Sequence, residues 1–264
     1  MPTTFDPVSP PGEPTPEPPE KGWWGNHIKE FRWQLEWARL AVDPVYRGER
    51  VPAGDGAGVI LIPGFLAGDS SLSVMRGWLG RIGYVPEPAG ILSNIDCSER
   101  ATVKLERRLE QLTESTGRKS ALIGHSRGGH FVKALAHRRP ELVSSAISIG
   151  AGLDTPFDIS IPTKKMVEAV SAVHARTSDR IAKRGCFSET CDCPFTYDYS
   201  AAFPKEIPLT SIYSKGDGVV RWRAAVVPYA RCVEVSGSHI GLVFNRKVYA
   251  EVADTLARET RARR

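Results

Sequence analysis

Ser120-Ala121-Leu122-Ile123-Gly124-His125-Ser126-Arg127-Gly128-Gly129 is the stretch whose reading decides the fold. An apolar run long enough for a buried strand ends in a glycine. A serine follows two residues later, then a second glycine and a segment with helical character. Glycines two positions either side of the serine remove Cβ atoms where a strand and a helix must approach closely through a sharp, strained turn. Such a turn lifts a serine hydroxyl above the carboxyl edge of a sheet, with a helix N-terminus behind it. The stretch therefore predicts a strand–turn–helix unit in which Ser126 is a nucleophile.

The same rhythm extends in both directions. Val59-Ile60-Leu61-Ile62 reads as a strand, 70–81 as a helix, and 98–116 as a second helix with Val103, Leu105, Leu109 and Leu112 in its apolar positions. A helix over 128–139 and strands at 146–149, 209–213 and 232–235 follow, and then a last helix over 246–258. Continuous apolar strands alternating with helices specify an α/β fold: a mostly parallel central sheet covered on both faces. Residues 51–150 and 207–264 make up this core. The excursion 151–206 breaks the rhythm, with one helix over 164–181 and then a loop rich in cysteine, aromatics and proline. It is expected to form a small cap or lid over the carboxyl edge. Residues 1–20 are dominated by proline and glutamate, a composition for a disordered arm.

The segment 21–50 is rich in tryptophan. Ile28, Phe31, Leu35 and Leu40 approximate one helical face, with Trp33 and Trp37 on a neighbouring one. The expectation is a helix packed on the body. The alternative is a helix lying on a lipid interface or roofing a hydrophobic groove.

A serine hydroxyl needs a base within hydrogen-bond reach, and the base needs a group that holds its tautomer. Asp217 in Tyr213-Ser214-Lys215-Gly216-Asp217-Gly218 and His239 in Ser236-Gly237-Ser238-His239-Ile240-Gly241-Leu242 each follow a strand directly. Both are thus placed on the sheet edge that carries Ser126, in the chain order serine, acid, histidine. A tetrahedral intermediate also needs donors for its oxyanion. Pro63-Gly64-Phe65-Leu66 follows the strand at 59–62 and offers the Phe65 N–H; the second donor is the Arg127 N–H. His125 and His130 read as packing residues, and Asp96 or Ser98 as a cap for the helix at 98. Leu66, Phe187, Phe195 and Ile240 are candidates for an acyl pocket. The competing reading has the excursion's aromatics merely gluing cap to body.

A chain of 264 residues can bury one sizeable core and a small cap. The net charge of +5 is modest and scattered, with no basic stripe interleaved with aromatics, which argues against nucleic acid. No apolar run reaches the length of a membrane span, and the N-terminus lacks the basic start and apolar core of a signal peptide. A cytoplasmic location is the expectation. Cys186, Cys191 and Cys193 cluster as C-x4-C-x-C without a near fourth ligand; free thiols, a local disulfide and zinc all remain open.

Together, Pro63-Gly64-Phe65, Gly124-His125-Ser126-Arg127-Gly128-Gly129 and Ser238-His239-Ile240-Gly241-Leu242 resemble the α/β-hydrolase superfamily on its lipase and esterase side, small bacterial triacylglycerol lipases in particular. The resemblance covers roughly 57–150 and 207–258. It implies Ser126 as nucleophile, Asp217 as acid, His239 as base, and Phe65 with Arg127 as oxyanion donors. It further implies a serine hydrolase of carboxylic esters acting on a small hydrophobic ester or acyl substrate, with no metal or organic cofactor. An acyltransferase or thioesterase would share every one of these residues, and a catalytically silent binding protein is the reading from another class. Two departures stand out: Pro63 replaces the histidine that often precedes the oxyanion glycine, and small secreted lipases lack an excursion as long as 151–206.

Overall fold

The computed structural model describes residues 24–25, 27–177 and 191–262. The arm at 1–20, Cys186 and Phe187 lie outside the described residues. The strands are β1 (Gly58–Ile62), β2 (Val85–Pro88), β3 (Ser120–His125), β4 (Val143–Ile149), β5 (Leu209–Tyr213) and β6 (Arg231–Glu234). They form one six-stranded sheet in the order β2-β1-β3-β4-β5-β6, and every pairing is parallel. The register sets Ile62 opposite Gly124, His125 opposite Ile149, and Ile149 opposite Ile212. The central strands therefore finish together, and the loops that follow them share one edge.

The helices are α1 (Trp33–Val42), α2 (Ser73–Arg81), α3 (Ser98–Thr116), α4 (Arg127–Arg138), α5 (Ile161–Thr177), α6 (Pro194–Ser200) and α7 (Arg246–Ala262). Side chains alternate across the sheet as strand geometry requires. Val59, Leu61, Ile123, Ile147 and Ile149 face a core with Leu40, Met75, Trp78 and Tyr249 from α1, α2 and α7. Ile60, Ile62, Leu122 and Ala146 face a second core with Leu105 and Leu109 of α3 and Phe131 and Leu135 of α4. Each such buried Leu, Ile or Phe side chain stabilises the fold by roughly 1.5–3 kcal/mol before entropy is counted. The Trp78 ring packs 4.6 Å from Tyr249, and its Nε1 donates to the Val45 carbonyl at 2.8 Å.

Three local readings change. In α3, Val103 is exposed, and Ala101, Thr102, Leu105, Leu109 and Leu112 form the buried stripe. Strand β2 has the sequence Val-Pro-Glu-Pro, which conceals a strand; two prolines are tolerated because β2 is an edge with only β1 as neighbour. The tryptophan-rich segment is a 3-10 turn (His27–Arg32) running into α1, and its inward face is Glu30, Trp33, Trp37 and Leu40. Ile28, Phe31 and Leu35 point outward, at 83%, 76% and 59% exposure. The aromatic rings decide this: Trp33 and Trp37 lie 5.6 and 5.7 Å from Phe244, and Trp37 is also edge-on to Tyr46.

Candidate active site

Ser126 sits between β3 and α4 with φ 52° and ψ −126°, a backbone conformation that a non-glycine residue adopts only under constraint. The constraint is visible in its neighbours. A Cβ on Gly124 would lie 2.2 Å from the Gly128 carbonyl oxygen, and one on Gly128 would lie 2.1 Å from that of Ile62. No other residue fits either position, so the two glycines are what allow strand, turn and helix to close around the serine. The Ser126 N–H donates to the Ile149 carbonyl at 2.8 Å, which ties the turn to the end of β4.

The next residue of β4's exit, Gly150, lies under the other two groups. A Cβ there would meet His239 Nδ1 at 3.3 Å and Asp217 Oδ2 at 3.4 Å. Ser126, Asp217 and His239 are thus gathered around two consecutive residues, Ile149 and Gly150. His239 Nδ1 donates to Asp217 Oδ2 at 2.7 Å, which leaves Nε2 as the proton-accepting nitrogen. Asp217 Oδ1 accepts from the Val219 and Val220 N–H groups, both at 2.8 Å, so both carboxylate oxygens are fixed. Burial is the largest influence on His239 and opposes its charged form. The adjacent Asp217 carboxylate, its hydrogen bond and the Glu30 charge outweigh it, and the pKa is raised above the ordinary 6.5.

His125 packs against His239. Its ring lies 4.8 Å from that of His239, and its Nε2 donates to the His239 carbonyl at 3.0 Å. Burial, then repulsion from His239, push its pKa down to about 3, against the pull of that carbonyl. It is therefore a neutral donor and no rival base. His130 is likewise driven down to about 3, by burial and then by Arg127 and Lys133, and its ring packs against Tyr199.

The loop after β1 passes close above the serine: a Cβ on Gly64 would lie 3.0 Å from Ser126 Cβ. Gly64 thus brings the backbone just ahead of Phe65 against the Ser126 turn, and Phe65 bridges to Asn94. The Arg127 side chain has a part that the sequence did not disclose. Its buried guanidinium donates to the Asn94 carbonyl and Oδ1, both at 2.7 Å, to the Asp96 carbonyl at 2.9 Å and to Ser98 Oγ at 3.0 Å. Asn94 Nδ2 in turn donates to the Pro63 carbonyl at 2.7 Å. The loop that carries Phe65 is thus braced by the residue that follows Ser126. Ahead of α3, the Asp96 Oδ1 accepts from the Cys97 N–H, and no side chain caps the helix.

Of the pocket candidates, Leu66 and Ile240 are exposed beside Phe65 and His239, and Leu66 has a positive φ of 62°. Phe195 lies 5.3 Å from Phe131 of α4 and stacks on Tyr199. Tyr199 donates to the Gly152 carbonyl at 2.8 Å, and Arg138 of α4 binds Asp198 at 2.6 Å and Glu99 at 2.8 Å. These contacts clamp α6 to α4. Cys191 and Cys193 are free thiols with sulfurs 3.4 Å apart, and no group that could hold a metal ion occurs among the described residues. No helix among them is long and apolar enough to cross a membrane.

No protein-family model matches the chain. Solved structures do. A monoglyceride lipase from Saccharomyces cerevisiae, a soluble variant with a substrate analogue, superposes with a TM-score of 0.55 at 15% identity, covering 79% of this chain and 90% of that one. The mature lipase BlEst2 of Bacillus licheniformis gives 0.53 at 14% identity, over 78% of this chain and 94% of its own. A monoacylglycerol lipase from Paleococcus ferrophilus gives 0.51 at 15%, over 77% and 96%. At such identity the likeness speaks for architecture, and it agrees with the parallel sheet and its strand order. The chain is built on the α/β-hydrolase fold.

Proposed function

We propose that the protein is a serine hydrolase of carboxylic esters. Ser126 Oγ attacks the acyl carbon while His239 Nε2 takes its proton. The Asp217 carboxylate stabilises the imidazolium that results. The Phe65 and Arg127 backbone N–H groups receive the negative charge that develops on the carbonyl oxygen. Collapse of the tetrahedral intermediate expels the alcohol, which takes the proton back from His239 and leaves an acyl-enzyme on Ser126. Water, deprotonated by the same imidazole, then releases the acid. The observation that carries this reading is the constrained Ser126 turn bonded to Ile149 while Gly150, one residue on, touches the Asp217–His239 pair.

Leu66 and Ile240 are exposed and next in the chain to Phe65 and His239, which favours a hydrophobic acyl chain. Across p-nitrophenyl esters from acetate to decanoate, kcat/KM is expected to rise by about fourfold for each methylene buried, the equivalent of ~0.8 kcal/mol, until the pocket fills. A profile that is flat or falls from acetate onward removes the hydrophobic substrate class. Alcohol acyl-transfer product outweighing free acid at modest acceptor concentration would replace hydrolysis with acyl transfer.

We also infer an anionic lipid surface as partner. The outward stripe Ile28, Phe31, Leu35 and Val42 is exposed, and Lys29, Arg32 and Arg39 lie beside it. These cations line a recess of about 800 Å³ with Lys215, Arg246 and Lys247 and with two acids, Glu36 and Glu234; Lys215 pairs with Glu234 at 2.8 Å and Arg246 with Asp43 at 3.1 Å. Apolar surface flanked by cations complements anionic headgroups. The full chain is expected to co-sediment with phosphatidylcholine vesicles containing phosphatidylglycerol, far less with phosphatidylcholine alone. A Phe31→Ser, Leu35→Ser double variant should lose this binding at unchanged activity on a short soluble ester. Equal binding by the double variant overturns the assignment. So does a concentration-dependent dimer that the double variant abolishes, which would make a second copy the occupant.

A further inference from the structure

The N-terminal segment lies outside every block that carries the sequence resemblance, yet its inward face meets both turns that present the acid and the base. Glu30 is buried, and its Oε1 accepts from the Gly218 N–H and the His239 N–H, both at 3.0 Å. Its Oε2 accepts from the Ile240 N–H at 2.8 Å. Gly218 directly follows Asp217, so one carboxylate bonds the backbone beside the acid and the backbone of the base itself. Those two turns leave different strands, β5 and β6. Past the last sheet bond, Val235 N–H to the Tyr213 carbonyl, Ser214 Oγ ties their bases by donating to the Gly237 carbonyl at 2.6 Å and accepting its N–H at 3.1 Å. Among the described residues, Glu30 alone bonds the backbone both beside the acid and at the base. We propose that Glu30 is a positioning residue, which holds the Asp217 turn and the His239 turn at the separation their hydrogen bond needs. The proposal rests on the serine-hydrolase reading above.

Three further contacts with these turns, and a fourth with Ser160 ahead of α5, show that the segment is built against the body rather than resting on it. Glu36, one and a half turns on, accepts from the Ser238 N–H at 3.0 Å and from Ser238 Oγ at 2.8 Å. A Cβ on Gly241 would lie 1.3 Å from Glu36 Oε2, so only glycine two residues after His239 admits that carboxylate. Upstream, a Cβ on Gly25 would lie 2.0 Å from the Gly218 carbonyl oxygen, and His27 Nε2 is 3.0 Å from Ser160 Oγ. A buried carboxylate costs several kcal/mol unless hydrogen-bonded, and three backbone donors meet that requirement for Glu30.

Glu30 also adds charge. The groups facing His239 are Asp217, Glu30 and the neutral His125, with Glu36 one residue away through Ser238. Negative charge at Glu30 favours the imidazolium, which forms only as Ser126 gives up its proton, so its effect belongs in kcat rather than KM.

The test uses the full chain with Glu30→Gln and Glu30→Ala, measured as pH profiles of kcat and kcat/KM on a p-nitrophenyl ester, beside thermal melts. Glu30→Ala is expected to lower kcat by about 10- to 100-fold, with KM within about threefold, because a small misplacement of reacting groups costs that much. Glu30→Gln keeps an oxygen for Gly218 and His239, sets its amide NH₂ against the Ile240 N–H, and should retain more of kcat than Glu30→Ala. Its acid limb should nevertheless move to lower pH: the limb reports protonation of His239, and removing the nearby negative charge lowers that pKa. Should Glu30→Ala fail to fold, the Gln profile decides alone. An unmoved acid limb in Glu30→Gln, or wild-type kcat in Glu30→Ala, overturns the proposal and leaves the hydrolase reading standing. Activity that survives Ser126→Ala overturns the hydrolase reading instead.

Discussion

Ser126→Ala should abolish turnover of a p-nitrophenyl ester, with kcat down by about 10⁴- to 10⁶-fold, and should also abolish covalent labelling by a fluorophosphonate. Loss of the nucleophile in a triad removes about as much catalysis as loss of the whole triad, and what remains comes from oxyanion donors and binding. The melting temperature is expected to change little. Alanine keeps the Cβ, so the strained backbone at φ 52° is neither relieved nor worsened, and the 2.8 Å bond from its N–H to Ile149 is untouched. Glycine would be the poorer control, since it would remove the strain along with the hydroxyl. Labelling of the alanine variant at the wild-type rate would place the nucleophile elsewhere.

Asp217→Asn should cost about 10⁴-fold in kcat, and the surrounding bonds dictate why. Oδ1 accepts two backbone N–H bonds, from Val219 and Val220, and the asparagine carbonyl oxygen must take over that position. The amide NH₂ is then turned toward His239 Nδ1, which has to accept from it. The imidazole proton moves to Nε2, and the nitrogen proposed to take the Ser126 proton can no longer accept it. The residual activity should have its acid limb at lower pH than wild type. Asp217 raises the His239 pKa, activity needs the neutral ring above that pKa, and removing the charge moves the threshold down. Neither nearby acid can substitute: Asp154 is bound by Lys133 at 2.7 Å, and Asp158 by Arg221 at 2.9 Å. A rate loss under tenfold would mean that the Asp217–His239 bond does not set the tautomer.

The parts of this protein written as local pattern were legible in the chain itself. Runs such as Val59–Ile62 and Leu209–Tyr213 can only be strands buried on both faces, and the Gly124–Gly128 spacing admits only a tight strand-to-helix turn. Ser126, Asp217 and His239 could be named because each directly follows such a strand, and parallel strands bring those positions to one edge. Side chains whose partners are distant in sequence were not legible. Val-Pro-Glu-Pro became β2 because β1 offered it an edge. Trp33 and Trp37 turned inward, against the apparent face of Ile28, Phe31 and Leu35, because Phe244 was there to receive them. Arg127 was expected to act through its backbone alone, yet its guanidinium braces the loop ahead of α3. Glu30 and Glu36 carry no local signal; only the folded chain shows that one accepts from Gly218, His239 and Ile240 and the other from Ser238. Periodicity and turn chemistry are properties of neighbouring residues, so the sequence by itself determined five of the six strands, the elbow and the places of Ser126, Asp217 and His239 along the chain. Which backbone donor a carboxylate meets depends on how separate turns approach in space, and that only the tertiary structure decided.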